Sequence, residues 1–313
     1  MSTKKVVTVT LNPALDLTGH LNVLNVGSVS LVEQGDLHAA GKGVNVAKVL
    51  SDLGAQVTVT GFLGADNQDM FCQLFEELGV NDQFVRVQGS TRINVKLVDK
   101  AGVTSDINFP GADVKPTDIE QFERRLFGLA EDHEYIVIAG SLPKGVSPKL
   151  CAAWIQKLHK MGKKVLFDSS RAALADGINA NPWLIKPNDE ELSEFVGRDL
   201  ASAEQCQDAA TALADKGIEN VVVSMGEKGV MWLNAGKWLH AQPPRMDVVS
   251  TVGAGDTLVA GLCWGHMQEM KKPELLTFAT ALSALAVSQV GVGVQSVDEL
   301  NNLQQKIRCD ELN

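Results

Sequence analysis

What most limits the folds open to this chain is a rhythm of short, β-branched apolar runs separated by stretches with helical spacing. Val6–Thr10, Val57–Gly61, Tyr135–Ala139, Lys164–Asp168 and Val221–Ser224 are each apolar over the length of a strand, the pattern of strands covered on both faces. Between them Val46, Leu50 and Leu53 recur at helix spacing, as do Phe71, Leu74, Phe75 and Leu78, and Trp154, Ile155 and Leu158. Strand, helix and strand in repetition imply a mostly parallel central sheet with helices on both faces, because a parallel crossover must be long enough to hold a helix.

Two segments, 12–40 and 88–111, are strand-like but lack intervening helices. In the second, Arg92, Asn94 and Lys96 alternate with Ile93, Val95 and Leu97, so the polar and apolar sets lie on opposite faces of a strand. Both segments are expected to form a small β-layer at one edge of the main sheet. With no linker, repeat or low-complexity stretch, residues 1–313 read as a single domain with that layer inserted. Leu275–Val297 carries no charge, but its threonines, serines, Gln289 and glycines suit a buried helix and glycine turn rather than a membrane span.

Composition narrows the partners. A net charge of −10 and only 5% aromatic residues argue against nucleic acid, whose binding rests on cationic contacts and stacking, and against an anionic membrane. Cysteines at 72, 151, 206, 263 and 309 form no CxxC, which points away from zinc and disulfides and toward a reducing cytoplasm. The basic start runs straight into a strand, unlike a secretory leader.

Five motifs carry candidate chemistry. Ser250-Thr251-Val252-Gly253-Ala254-Gly255-Asp256-Thr257 precedes an apolar helical pattern. Its glycines leave amides exposed at a helix start, a site for anions, with Asp256 beside it as a base for a hydroxyl proton; Asp256 as a plain helix cap is the competing reading. Ala39-Ala40-Gly41-Lys42-Gly43-Val44-Asn45 opens the next helix. It is neither a P-loop nor GxGxxG, and it offers the Lys42 cation and the Asn45 amide, or merely a turn. Arg92, Asn94 and Lys96 suit a phosphate or a solvated strand face. In Lys186-Pro187-Asn188-Asp189-Glu190-Glu191, Asn188 and Glu191 share a helix face and suit Mg²⁺ held through water, or an acidic helix start. Ser224-Met225-Gly226-Glu227-Lys228-Gly229 ends a strand in a turn that either admits nucleotide phosphates or has no ligand. None of the histidines has a metal partner in sequence; His38 and Cys263 read as packing residues. The motifs fall mostly where strands of an α/β protein end, where ligand sites gather.

In order and spacing these segments resemble one family. AAGKGVNVAKVLSDLG (39–54), with Gly64 beyond it, resembles the first signature of the ribokinase/phosphofructokinase-B sugar kinases, and STVGAGDT (250–257) resembles the second; KPNDEE (186–191) and SMGEKG (224–229) lie between. The resemblance implies a ribokinase-like three-layer α/β/α sandwich with a β lid, a homodimer paired through the lids, and the use of ATP and Mg²⁺. It implies that Asp256 is the base and that the amides of Gly253, Ala254 and Gly255 form the anion hole. It assigns Asp16, Gly41, Lys42, Gly43 and Asn45 to the sugar, and Arg92, Asn94 and Lys96 to a phosphate the sugar already carries. It assigns Lys186, Asn188, Ser224, Gly226, Ser250 and Thr251 to the nucleotide, and Asn188 and Glu191 to the metal. LHAAGKGVNVAKVL (37–50), TRINVKL (91–97) and STVGAGD (250–256) are most similar to the members that phosphorylate fructose 1-phosphate on its 6-hydroxyl. Tagatose 6-phosphate or fructose 6-phosphate is the alternative acceptor, and a non-catalytic sugar-phosphate sensor the alternative of a different class. Ser250 stands where many members carry Asp, which puts in doubt the ion-binding role that Asp has elsewhere in the family.

Overall fold

The computed structural model describes residues 4–200 and 202–312; residues 1–3 of the basic start lie outside them. The central sheet has 11 strands. Its parallel part runs Asn81–Asp82, Gln56–Gly64, Lys5–Thr10, Tyr135–Ala139, Lys164–Asp168, Leu184–Ile185 and Asn220–Ser224 in spatial order. Three antiparallel strands, Val230–Asn234, Lys237–Gln242 and Arg308–Leu312, extend it to the far edge, and the eleventh, Val85–Val87, pairs in parallel with the end of Gln56–Gly64. The apolar runs read from the sequence are these buried parallel strands, and the Leu275–Val297 stretch is a helix, Lys272–Val287, followed by a turn through Gly291 and Gly293. Among the described residues no helix is long and apolar enough to cross a membrane.

The strands alternate between two cores, because successive side chains point to opposite faces. Val7, Val9, Ile136, Ile138, Val165, Phe167, Val221 and Val223 pack with the helices Pro116–Asp132, Pro148–Lys160, Arg171–Ile178, Asp189–Val196 and Ala203–Ala214. Val6, Val137, Leu166 and Val222 pack with Lys42–Asp52, Asp69–Glu77, Ala254–Met267 and Lys272–Val287. The helix Val297–Lys306 adds a smaller cluster outside the last of these. The result is the expected three-layer α/β/α sandwich.

Segments 12–40 and 88–111 supply a separate four-stranded sheet in the order Val32–Ala40, Ala14–Leu21, Arg92–Asp99, Thr104–Ile107. Its middle pair is parallel and sets Asp16 opposite Asn94 and Thr18 opposite Lys96. The register therefore gives one face Asp16, His38, Arg92, Asn94 and Lys96, and the other Leu15, Leu17, Leu37, Ile93, Val95 and Ile107.

One close approach positions the first helix. A Cβ on Gly43 would stand 2.4 Å from Thr10 Oγ1 and 2.7 Å from the Val9 carbonyl oxygen, so only glycine lets this helix rest against the end of the first strand. Gly43→Ala is expected to cost about 2 kcal/mol, the scale of an overpacked core, read as a lower urea midpoint at unchanged slope.

Candidate active site

The site lies at the carboxyl ends of the parallel strands, where side chains from several crossovers converge. The helix Ala254–Met267 starts at Gly253, whose φ of 80° is left-handed and whose Cβ would fall 2.3 Å from Val292 Cγ2. Gly253 takes the cap position, so Asp256 is not the cap. Instead Asn45 Nδ2 on the first helix donates to Asp256 Oδ2 at 2.7 Å. The Ala254 N–H reaches the Thr251 carbonyl at a long 3.4 Å, and those of Gly253 and Gly255 have no acceptor among the described residues. Helix-end donors of this kind need a ligand or water.

Beneath this loop lies a compact charge cluster. Asp168, at the end of its strand and 1% exposed, accepts from Lys42 Nζ at 3.2 Å and faces Lys186 Nζ at 3.5 Å. Lys186, itself buried, lies against the loop, since a Cβ on Gly255 would be 3.5 Å from its Nζ. Burial works against the Lys42 charge, but Asp168, Asp256 and Glu191 outweigh it and hold the ammonium above its ordinary range. Burial also opposes the Asp168 charge, yet Lys186 and Lys42 hold its carboxyl below the usual value. Asp256, 6% exposed, goes the other way: burial and then the Asp168 charge push it up to about 6, against Lys42, Asn45 and Lys186. A carboxylate of that basicity beside free amides and two ammoniums can take a hydroxyl proton while negative charge gathers nearby.

Toward the small sheet, Asn94 Nδ2 donates to Asp16 Oδ1 at 3.1 Å, and Lys96 pairs with Asp106 at 3.6 Å. Burial raises the Asp16 carboxyl, opposed by Asn94, Lys96 and Arg92. The Arg92 guanidinium is more committed than its sequence implied. It donates to the Pro13, Phe109 and Asn12 carbonyls at 3.3, 3.3 and 3.0 Å, and reaches Ser141 Oγ at 3.4 Å. Asn12 Nδ2 donates to the same hydroxyl at 3.1 Å. Ser141 adjoins Gly140, whose Cβ would lie 3.7 Å from Lys42 Cβ, so Arg92 and Lys42 border one cleft.

On the other side, Asn188 bridges to Ser224, whose N–H donates to the Pro187 carbonyl at 3.1 Å. This sets Lys186 and Gly226 (φ 56°) on neighbouring turns. Asn188 and Glu191 form a reciprocal capping box: Glu191 N–H donates to Asn188 Oδ1 at 2.6 Å and Asn188 N–H to Glu191 Oε2 at 3.0 Å. Ser250 Oγ accepts from Val252 N–H at 3.2 Å within its own turn. The run Met246–Val249 is not a strand; Val248, Val249, Val252 and Val290 are exposed around the loop. The structure thus gathers Lys42, Asn45, Lys186, Gly255 and Asp256. It brings the Ser250 side chain to none of them, and Gly41 and Gly43 act through backbone fit.

Sequence reasoning missed Asp168, Asn12 and Ser141. Asp168 had one available signal, the only acidic residue closing an apolar strand among those named above; Asn12 and Ser141 had none. The stability of this arrangement is pH-linked. Because the folded value for Asp256 lies above the 3.8 of an ordinary aspartate, its ionisation destabilises the fold fully above about pH 6 and not at all below about pH 4. Asp256→Asn is expected to lower kcat by about 10²–10⁴-fold. It should also stabilise the protein at pH 7.5 by about 3 kcal/mol, a gain that vanishes at pH 4. Parallel assays and pH-dependent urea melts check both.

The family model for pfkB family carbohydrate kinases matches residues 9–299. The 1-phosphofructokinase of Vibrio cholerae is 69% identical over 310 residues, covering 99% of this chain and 98% of that protein. That of Escherichia coli K12 is 47% identical, covering 99% of each. The tetrameric inhibited form of phosphofructokinase-2 from Escherichia coli superposes with a TM-score of 0.88 at 26% identity, covering 97% of this chain and 99% of that one. With the family model spanning nearly the whole sandwich, the Gly253–Asp256 loop included, this chain belongs to the pfkB family of carbohydrate kinases.

Proposed function

We propose that this chain transfers the γ-phosphoryl group of ATP to the 6-hydroxyl of fructose 1-phosphate, giving fructose 1,6-bisphosphate and ADP. The observation that carries the reading is the buried Asp256 carboxylate, tuned to about 6, beside the free amides of Gly253 and Gly255. In the transfer the hydroxyl proton passes to Asp256, the bond from sugar oxygen to γ-phosphorus forms, and the bond from γ-phosphorus to the bridging oxygen breaks, releasing ADP. The amides and the Lys42 and Lys186 ammoniums offset the charge on the moving phosphoryl oxygens, the main work in such a loose transition state. Arg92, with Ser141 and Asn12 at its tip, faces the phosphate already on the sugar. Asp16 and Asn94 take sugar hydroxyls, and the Asn188–Ser224 turns receive the nucleotide. The donor set at Asn188 and Glu191 fits Mg²⁺, because the capping box uses Glu191 Oε2 and leaves Oε1 outside it; these two residues would hold the ion through water, and it would supply positive charge against the nucleotide phosphates. The 1-phosphofructokinase relatives support the choice of acceptor, and the free cysteines suit a cytoplasmic setting.

The reading includes assembly. Leu17, Ile93 and Ile107 on the apolar face of the small sheet are exposed, as is Phe109 just beyond it, an uncovered surface that a second copy would bury. The related phosphofructokinase-2 is described in a tetrameric form.

Two experiments test the reading. Purified protein with Mg-ATP and a panel of fructose 1-phosphate, fructose 6-phosphate, tagatose 6-phosphate, fructose and ribose is expected to release ADP with at least about tenfold higher kcat/KM for fructose 1-phosphate, a difference of ~1.4 kcal/mol in transition-state binding. A preference for a 6-phosphate would overturn the acceptor, and no turnover with any sugar would favour a sensor. The double variant Leu17→Asp, Ile93→Asp is expected to run as a monomer in light scattering where the parent runs as a dimer; an unchanged mass would remove the small sheet from the interface.

A further inference from the structure

The Asp168 carboxylate lies at the end of a central strand, under the turn of Lys42 and the loop of Gly255, and touches two ammoniums from different crossovers. Its backbone is fixed on both sides. The strand Lys164–Asp168 is paired with both neighbours, the Gly140 N–H donates to the Asp168 carbonyl at 2.9 Å, and Ser169 Oγ donates to the Gly140 carbonyl at 2.9 Å. The side chain is 1% exposed, so it is not a surface for ligand. Lys186 is buried and Lys42 keeps 38% of its side chain exposed; two ammoniums meeting at one buried carboxylate would repel each other without the anion between them.

We propose that Asp168 is the positioning residue of the transfer step: its carboxylate holds the Lys42 and Lys186 ammoniums side by side at the mouth of the anion loop, where Asp256 acts as the base. The inference deepens the kinase reading and rests on it. The charged groups facing Asp256 are Asp168, Lys42 and Lys186, with Asn45 as its neutral hydrogen-bond partner. Burial is the main force against the ionised form of Asp256 and the Asp168 charge the next; the two lysines favour it. One anion thus performs two tasks with opposite signs, steadying the cations that meet the phosphoryl group and raising the proton affinity of the base. When phosphate oxygens occupy the lysines, their pull on Asp256 weakens while that of Asp168 persists, so substrate binding itself sharpens the base. Nothing in the reaction requires Asp168 to touch substrate.

The test uses ligand-free protein labelled with ¹³C at the aspartate carboxyls, the Asp256 signal being assigned by its loss in Asp256→Asn. In Asp168→Asn, the Asp256 carboxyl is expected to titrate about one unit lower than in the parent, the usual effect of removing a neighbouring like charge. KM for ATP should rise about tenfold as the two lysines lose their anchor. In Asp168→Glu, which keeps the charge but moves it by a methylene, the titration should stay within about 0.3 units of the parent while KM for ATP rises. That variant also serves if the asparagine form fails to fold. An Asp256 titration unmoved in a folded Asp168→Asn, or an Asp168→Glu protein that shifts the titration yet leaves KM for ATP at the parent value, overturns the inference. Loss of turnover by the parent protein on every sugar phosphate would instead overturn the kinase reading.

Discussion

Gly43 lies against the Val9 carbonyl and the Thr10 hydroxyl with no room for a Cβ, and from that contact the geometry of the cleft follows. The contact sets the start of the first helix at the end of the first strand, with Lys42 one residue before it and Asn45 two residues after. Lys42 then reaches across the neighbouring strands to Asp168 at 3.2 Å, and Asn45 meets Asp256 at 2.7 Å. Three crossovers far apart in sequence are tied together through one tight turn. The glycine loop of the last motif does the same from the other side, where Gly253 alone fits against Val292.

Burial then turns these contacts into chemistry. A carboxylate taken out of water gains protons more readily, whereas one between two ammoniums loses them more readily. Asp256 and Asp168 share one pocket and respond in opposite directions because Asp168 has both lysines in direct contact and Asp256 has a neutral amide. The divergence suits the proposed division of roles: a carboxylate held charged between two cations, and one whose raised affinity for a proton fits a base. The cost is a fold less stable near neutral pH than it would be without Asp256, the usual relation between a functional site and its scaffold.

The parallel strands, their order of crossover helices and the small separate sheet were legible because each rests on a local periodicity: continuous apolar runs for buried strands, a period of two for Arg92 to Leu97. The glycine motifs were legible because backbone demands show directly in residue type. Two readings stayed undecided in sequence because both turn on packing. Gly253 takes the cap position, which removes the cap reading of Asp256. Asn188 and Glu191 at i, i+3 suit a capping box as readily as a metal site; the capping box is formed and leaves Glu191 Oε1 outside it. Asp168, Asn12 and Ser141 stayed hidden because their meaning comes from which strands are neighbours. Asp168 meets a lysine 126 residues away, and no local pattern marks such a pairing.

The central claim is that Asp256 accepts the proton of the sugar hydroxyl. Its most direct test is the pH dependence of kcat at saturating fructose 1-phosphate and Mg-ATP, compared between the parent protein and Asp256→Asn. The account predicts that the parent loses rate as pH falls through a point above the ligand-free value of about 6, since bound phosphates sharpen the base, and that the variant, slow at every pH, shows no such limb. A variant that keeps the same acid limb as the parent would place the titrating group elsewhere and contradict the assignment of Asp256 as the base.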